Sequence, residues 1–182
     1  MIEQLFLKEI IMSKLKIIVA PDKRLCAMSE KVNILDKAII TLVEQMVETM
    51  YESNGIGLAA PQVGHLKRIL VMDCNSSEKE TNLMKFINPQ ILSLSEERSE
   101  FEEGCLSLPT QYAKVFRPSS IKLKYLDING KTLIQEFNGL EATCIQHEID
   151  HLNGRLFIDH ISKLRKNIII KKLKRYKKIN SH

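Results

Sequence analysis

Between residues 35 and 53, apolar side chains recur at Ile39, Leu42, Val43, Met46, Val47, Met50 and Tyr51. Steps of three and four place them on one face, which predicts an amphipathic helix packed on a core. The runs 68–73, 84–92, 121–128 and 132–137 have a different rhythm. They are short, rich in β-branched or large apolar residues and bounded by Asn, Gly, Pro or Ser, which predicts strands. Asn129-Gly130 separates the last two. A two-residue type I′ turn needs positive φ at both positions, so this pair predicts a tight hairpin. A second helix is predicted over 139–153, where Asn138 offers a cap, Glu141 stands as in a capping box and Gly154 follows the last turn. Leu140, Cys144 and Leu152 would form its core face. Ile161, Leu164, Ile168, Leu173 and Tyr176 predict a closing helix, although the β-branched run Ile168-Ile169-Ile170 lowers its propensity. A helix, several strands and then two helices read as an α+β fold.

Composition narrows this only slightly. A chain of 182 residues, 44% of them hydrophobic, fits a single domain over 1–182 with an ordinary core. Aromatics are 5% and Trp is absent, so that core is mostly aliphatic. No run approaches the roughly 20 apolar residues a membrane span needs, and Glu3 and Glu9 do not suit a secretory signal. A cytoplasmic protein is expected. Met12-Ser13-Lys14 resembles a second start, which would make residues 1–11 a flexible extension or a start-site artefact. The four cysteines lack the density of a disulfide scaffold, and Cys26, Cys74 and Cys144 are expected as buried thiols. The net charge of +5 is uneven: nine basic residues and no acid follow Asp159, leaving residues 1–159 at −4. Residues 160–182 therefore form a basic terminal segment.

Three short runs carry chemistry: Gly55-Ile56-Gly57-Leu58-Ala59-Ala60-Pro61-Gln62, Glu103-Gly104-Cys105-Leu106-Ser107 and Gln146-His147-Glu148-Ile149-Asp150-His151. On a helix, His147 and His151 share a face and can reach one metal ion, with Glu148 beside its open side. A catalytic tetrahedral site takes three protein ligands plus water, and Cys105 is the candidate third. Two imidazoles and a thiolate suit Zn or Fe(II). Zinc proteases of the long-motif type carry a third His where this chain has Phe157, which argues against that class, although His160 lies nearby. The Gly-x-Gly pair lacks a following Lys-Ser or Lys-Thr and any dinucleotide-binding spacing, so a nucleotide loop is excluded.

With all three segments present and in order, the chain resembles the peptide deformylases, from about Met12 into the last helix and in the compact spacing of the bacterial type I group. The resemblance implies antiparallel sheets around a central helix that carries the histidines, with a C-terminal helix after it. It implies hydrolytic removal of the N-formyl group from the formyl-methionine of nascent polypeptides. Cys105, His147 and His151 would hold the metal, expected as Fe(II), with Zn, Ni or Co able to occupy such sites. Glu148 would be general base and acid, while the Gln62 side chain and the Leu106 backbone N–H would face the oxyanion. The backbone at Ile56, Gly57 and Gly104 would hold an extended peptide, and Leu140, Thr143, Cys144 and the side of His147 would form the methionine pocket. Glu103, Gln146 and Asp150 are candidates for orienting the ligands, and Arg117 for contacting the substrate chain. Asn54 and Tyr112 stand where many relatives carry charged residues near the cleft. The basic terminal segment suggests ribosome docking. A second reading makes that segment an RNA-binding module around a structural metal, and a third makes the chain an endopeptidase.

Overall fold

The computed structural model describes residues 14–75 and 81–180, so the expected extension at 1–11 lies outside the described residues. Helix α1 spans Lys37–Glu52 and is opened by Asp36, whose side chain accepts from the Ile39 N–H. Leu42, Val43, Met46, Val47 and Met50 are buried along it, as the periodicity predicts. Strands β1 (Gly57–Ala59), β2 (Ile69–Met72), β3 (Met84–Leu94), β6 (Ser120–Leu126) and β7 (Thr132–Asn138) form a five-stranded antiparallel sheet in the order β1-β2-β3-β6-β7. Strands β4 (Arg98–Gly104) and β5 (Tyr112–Pro118) pair separately. Helix α2 (Gly139–Leu152) follows β7 directly, and α3 (Lys163–Ile179) closes the described chain.

Strand β2 explains why Ile69-Leu70-Val71-Met72 is apolar without alternation. Successive side chains point to opposite faces, and each face is covered: Leu70 and Met72 pack with α2, Ile69 and Val71 with α1. Strand β6 has one covered face, so Ile121, Leu123 and Tyr125 are buried and alternate with exposed Lys122 and Lys124. Phe86 joins the α2 side, with ring centroids 4.6 Å from Tyr125 and 5.8 Å from Phe137. A third cluster combines the β4–β5 hairpin, the segment leading to α1, and the Ile169 and Leu173 face of α3.

Five expectations need correction. Leu140, expected on the core face of α2 with Cys144 and Leu152, is 44% exposed, and only the other two are buried. The 127–131 loop is not a two-residue turn, because only Gly130 takes positive φ (+79°) while the Asp127 carboxylate accepts from the Asn129 and Lys131 N–H groups and organises a longer loop. Asn138 precedes α2 without a side-chain cap, and Glu141 instead accepts from Asn82 at 3.1 Å. On α3 the buried face is Ile169 and Leu173, with Leu164 and Ile168 exposed. Leu173 is buried as expected, but Ile169, about 100° further around a 3.6-residue turn, takes the inward place of Ile168 against the third cluster. Cys26 is exposed and Cys74 half-buried; only Cys144 of the three is the expected buried thiol.

Candidate metal centre and its cleft

Cys105 is delivered by the end of β4, where the chain turns and the Leu108 N–H donates to the Cys105 carbonyl at 2.9 Å. Helix α2 brings the two histidines to it. Cys105 Sγ lies 3.2 Å from His151 Nε2, and one ligand atom from each of Cys105, His147 and His151 falls within 4.8 Å of the others. His147 Nδ1 is held by Glu103 Oε2 at 2.8 Å, which turns its Nε2 toward the cluster. Phe157 stacks on the same ring, with centroids 6.1 Å apart and planes at 21°. The protease ligand position excluded by sequence is thus a packing residue against the candidate ligand. One soft sulfur and two imidazole nitrogens, with no fourth ligand among the described residues, are a donor set that fits a divalent cation with an open side.

Behind His147 lies a charge network the sequence only hinted at. Arg117 is 4% exposed and donates to both Glu103 oxygens, at 2.6 and 3.0 Å, and to Asp150 at 2.7 Å. His160 meets the same Asp150 oxygen at 2.7 Å, so it is a support and not a ligand. Burial alone would raise the Glu103 carboxyl, but the bonds from His147 and Arg117 hold it below the ordinary range. Arg117 is therefore not a substrate contact, as the sequence had suggested; three of its five donors bond two buried carboxylates and keep them ionised. Gln146 faces away from the centre and donates to the Pro118 and Ala142 carbonyls.

Glu148 is 3% exposed and its Oε2 has no hydrogen-bond partner among the described residues. Burial pushes its carboxyl up to about 7. A lone buried carboxyl poised there can take and return a proton at neutral pH. Gln62, also buried, accepts from the Ala59 N–H through Oε1 at 2.7 Å, which directs its Nε2 toward Cys105 Sγ (3.5 Å) and Ser107 Oγ (3.3 Å). The Leu106 N–H is adjacent and makes no hydrogen bond among the described residues.

A cleft of about 500 Å³ opens on this cluster, lined by Ile56, Gly57, Gln62, Gly104, Cys105, Leu106, Leu140, Thr143, Cys144, His147 and Glu148 as well as Asn54 and Tyr112. Sequence reasoning missed Phe101, Glu102 and the 109–111 turn on its far wall, because β4 and β5 gave no recognised strand pattern. Leu140, Thr143, Cys144 and His147 recur at three and four, so one stripe of α2 forms the near wall. Strand β1 edges it. The Asp73 N–H donates to the Ile56 carbonyl at 2.9 Å, and antiparallel alternation then turns the Gly57 backbone away from β2, toward the cleft. Glycine is required there by contact: a Cβ on Gly57 would stand 2.6 Å from Glu148 Oε1 and 2.7 Å from Cys144 Sγ. Gly57→Ala is expected to displace Glu148 and lower turnover about 100-fold, the scale of an ångström-sized misplacement. Measured kcat within threefold of the parent would show that the contact relaxes freely.

The family model for polypeptide deformylase matches residues 14–167. A curated peptide deformylase of Mesorhizobium japonicum is 49% identical over 162 residues, covering 89% of this chain and 92% of its own, and one of Rhizobium meliloti is 50% identical over 156 residues, covering 86% and 90%. A peptide deformylase crystal structure from Ehrlichia chaffeensis in complex with actinonin superposes with a TM-score of 0.87 at 43% identity, covering 91% of this chain and 98% of that one. One from Legionella pneumophila gives 0.86 at 40% identity, covering 93% and 99%.

Proposed function

This chain belongs to the polypeptide deformylase family, a metal-dependent hydrolase that removes the N-formyl group from nascent formyl-methionyl peptides, and on that premise we propose how its own residues divide the work. Cys105, His147 and His151 hold one divalent cation, with Fe(II) as the native ion and Zn, Ni or Co as substitutes. The observation that carries this reading is the convergence of three donors within 4.8 Å beside a buried, unpartnered carboxylate. When bound, such a cation supplies Lewis acidity, which polarises a carbonyl and makes water easier to deprotonate.

Glu148 then takes a proton from the attacking water and returns it to the leaving amine nitrogen. Gln62 Nε2, fixed by the bond from Ala59 to its Oε1, and the Leu106 N–H donate to the oxyanion that develops on the formyl oxygen. Gly57 and Gly104 present backbone to an extended peptide, which joins the free edge of β1 as an added strand. Ile56 contributes its side chain to the wall, since its carbonyl is already bonded to Asp73.

The defining test is formate release from formyl-Met-Ala-Ser by anaerobically prepared protein, with unformylated Met-Ala-Ser as the endopeptidase control. No formate from the first, or cleavage of an internal bond, overturns the assignment. A chelator in excess should abolish turnover, and Fe(II), Ni or Co should restore it. Activity that survives chelation with no metal left in the protein excludes the three-ligand site.

We also place the reaction in the cytoplasm, at the ribosome. Helix α3 carries exposed Lys171, Lys172, Lys174 and Arg175, a charge set that favours phosphate backbone. The clean test is charge reversal at those four positions and not truncation, because Ile169 and Leu173 belong to the core. Co-sedimentation with ribosomes should fall at least tenfold while formyl-Met-Ala-Ser turnover is preserved. Unchanged sedimentation retires docking through this face.

A further inference from the structure

We propose that Cys74 and Cys144 form a modification site, a dithiol that a hydroperoxide closes to a disulfide, and that closure loosens the strand edge on which the peptide lies. The pairing stands on geometry alone, whereas its effect on turnover rests on the deformylase reading above.

The two cysteines are distant along the chain and meet beside β1. The Ile56 carbonyl accepts from the Asp73 N–H at 2.9 Å and from the Cys144 thiol at 3.7 Å, so the residue that follows Asp73 stands close to Cys144. Cys74 packs against the cluster that contains Cys144, and the two thiols are within hydrogen-bonding reach of each other. Asp73 keeps Cys74 in place. It is fully buried, its Oδ2 accepts from the Tyr51 hydroxyl at 2.7 Å, and its Oδ1 accepts from the Asn75 and Asn82 N–H groups at 2.9 and 3.1 Å. Sulfurs in such contact mean that the two side chains point toward one another, which a sulfur–sulfur bond of about 2 Å requires.

Access sets the order of events. Cys74 is half-buried and Cys144 buried, so the oxidant meets Cys74 first. Its sulfur attacks the peroxide, the O–O bond breaks, and Cys74 becomes a sulfenic acid with release of one water. The Cys144 sulfur then displaces hydroxide from the Cys74 sulfur, and the Cys144 thiol proton leaves with it as a second water. In sum the two thiols lose two electrons and two protons, and hydrogen peroxide is reduced to two waters. A thiol reductant reverses the change by exchange.

The consequence reaches the cleft through one carbonyl. In the reduced protein the Cys144 thiol donates to Ile56, and its sulfur lies so near Gly57 that a Cβ there would be 2.7 Å away. A disulfide sulfur has no hydrogen to donate, and this one is drawn toward Cys74. Ile56 then keeps only the bond from Asp73, and Gly57, which presents backbone to the extended peptide, loses the sulfur packed against it. Peptide binding weakens, while the bonding of Gln62 and of the three ligand residues is unchanged.

The test uses Ni-loaded protein, which avoids the reaction of ferrous iron with peroxide. After a small excess of hydrogen peroxide, free thiols are alkylated under denaturing conditions and the peptides are mapped without reductant. The parent and Cys26→Ser should each yield one linked pair of peptides, carrying Cys74 and Cys144, that dithiothreitol separates. Cys74→Ser should yield none. In the oxidised parent KM for formyl-Met-Ala-Ser should rise about fivefold, the scale of one neutral hydrogen bond, with kcat nearly unchanged, and should return on reduction. Peroxide should leave KM unchanged in Cys74→Ser. A link through Cys26 or Cys105, no link at all, or complete linkage without a change in KM overturns the proposal. Failure of the reduced parent to release formate is a different result: it overturns the function, while the peptide map still decides whether the dithiol closes.

Discussion

Glu148→Gln is expected to lower kcat for formate release about 1,000-fold, within the range general acid–base catalysis supplies, while the protein still binds its metal. The glutamine keeps the volume of a side chain that is 3% exposed, so packing is preserved and only proton transfer is lost. That separation matters because Glu148 sits between two candidate ligands on α2, and a bulkier change would disturb both. Its Oε2 has no partner to orphan among the described residues, so the variant should be at least as stable as the parent. Steady-state formate release and metal content, measured on the same preparation, check both halves. Turnover within tenfold of the parent at full metal content would mean that another group moves the proton.

The largest effect on stability should come from Arg117→Met. Among the described residues, Arg117 is the only cation bonded to both Glu103 and Asp150, and both carboxylates are largely buried. Methionine leaves them only the His147 and His160 rings as partners, which costs about 3–5 kcal/mol and should lower the melting temperature by about 10 °C for a domain of this size. Because Glu103 aims His147 through Nδ1, metal affinity should fall as well, by about 10- to 100-fold. Thermal unfolding of the metal-free protein isolates the first effect, and competition with a chromophoric chelator reads the second. A loss under 1 kcal/mol would show that His160, which also meets Asp150, suffices to balance the network.

How much of this was legible beforehand differed by element. Helix α1 was readable because its covered face repeats every three to four residues, and the strands β2, β3, β6 and β7 because each is a short run rich in β-branched or large apolar residues. The strands β4 and β5 were not, since Glu100, Glu102 and Lys114 lie exposed on a two-stranded ribbon whose inner face touches only part of the core. The three-residue β1 is too short to show any period. At the site, the residues with rare chemistry, Cys105, His147, Glu148 and His151, stood out by type and spacing. Arg117 did not, because an arginine in a strand ordinarily faces solvent, and only the buried carboxylates opposite it reveal why this one turns inward.

The sequence by itself determined which side chains can bind an ion and move a proton, because those capacities belong to the residue types and to the four-residue step of a helix. Only the tertiary structure decided that Cys105 meets the two histidines, that Phe157 and Arg117 serve packing and charge balance, and that α3 turns Ile169 inward in place of Ile168. Those outcomes depend on contacts between segments distant along the chain, and no local pattern encodes which surfaces will be opposite one another once each has buried its apolar face.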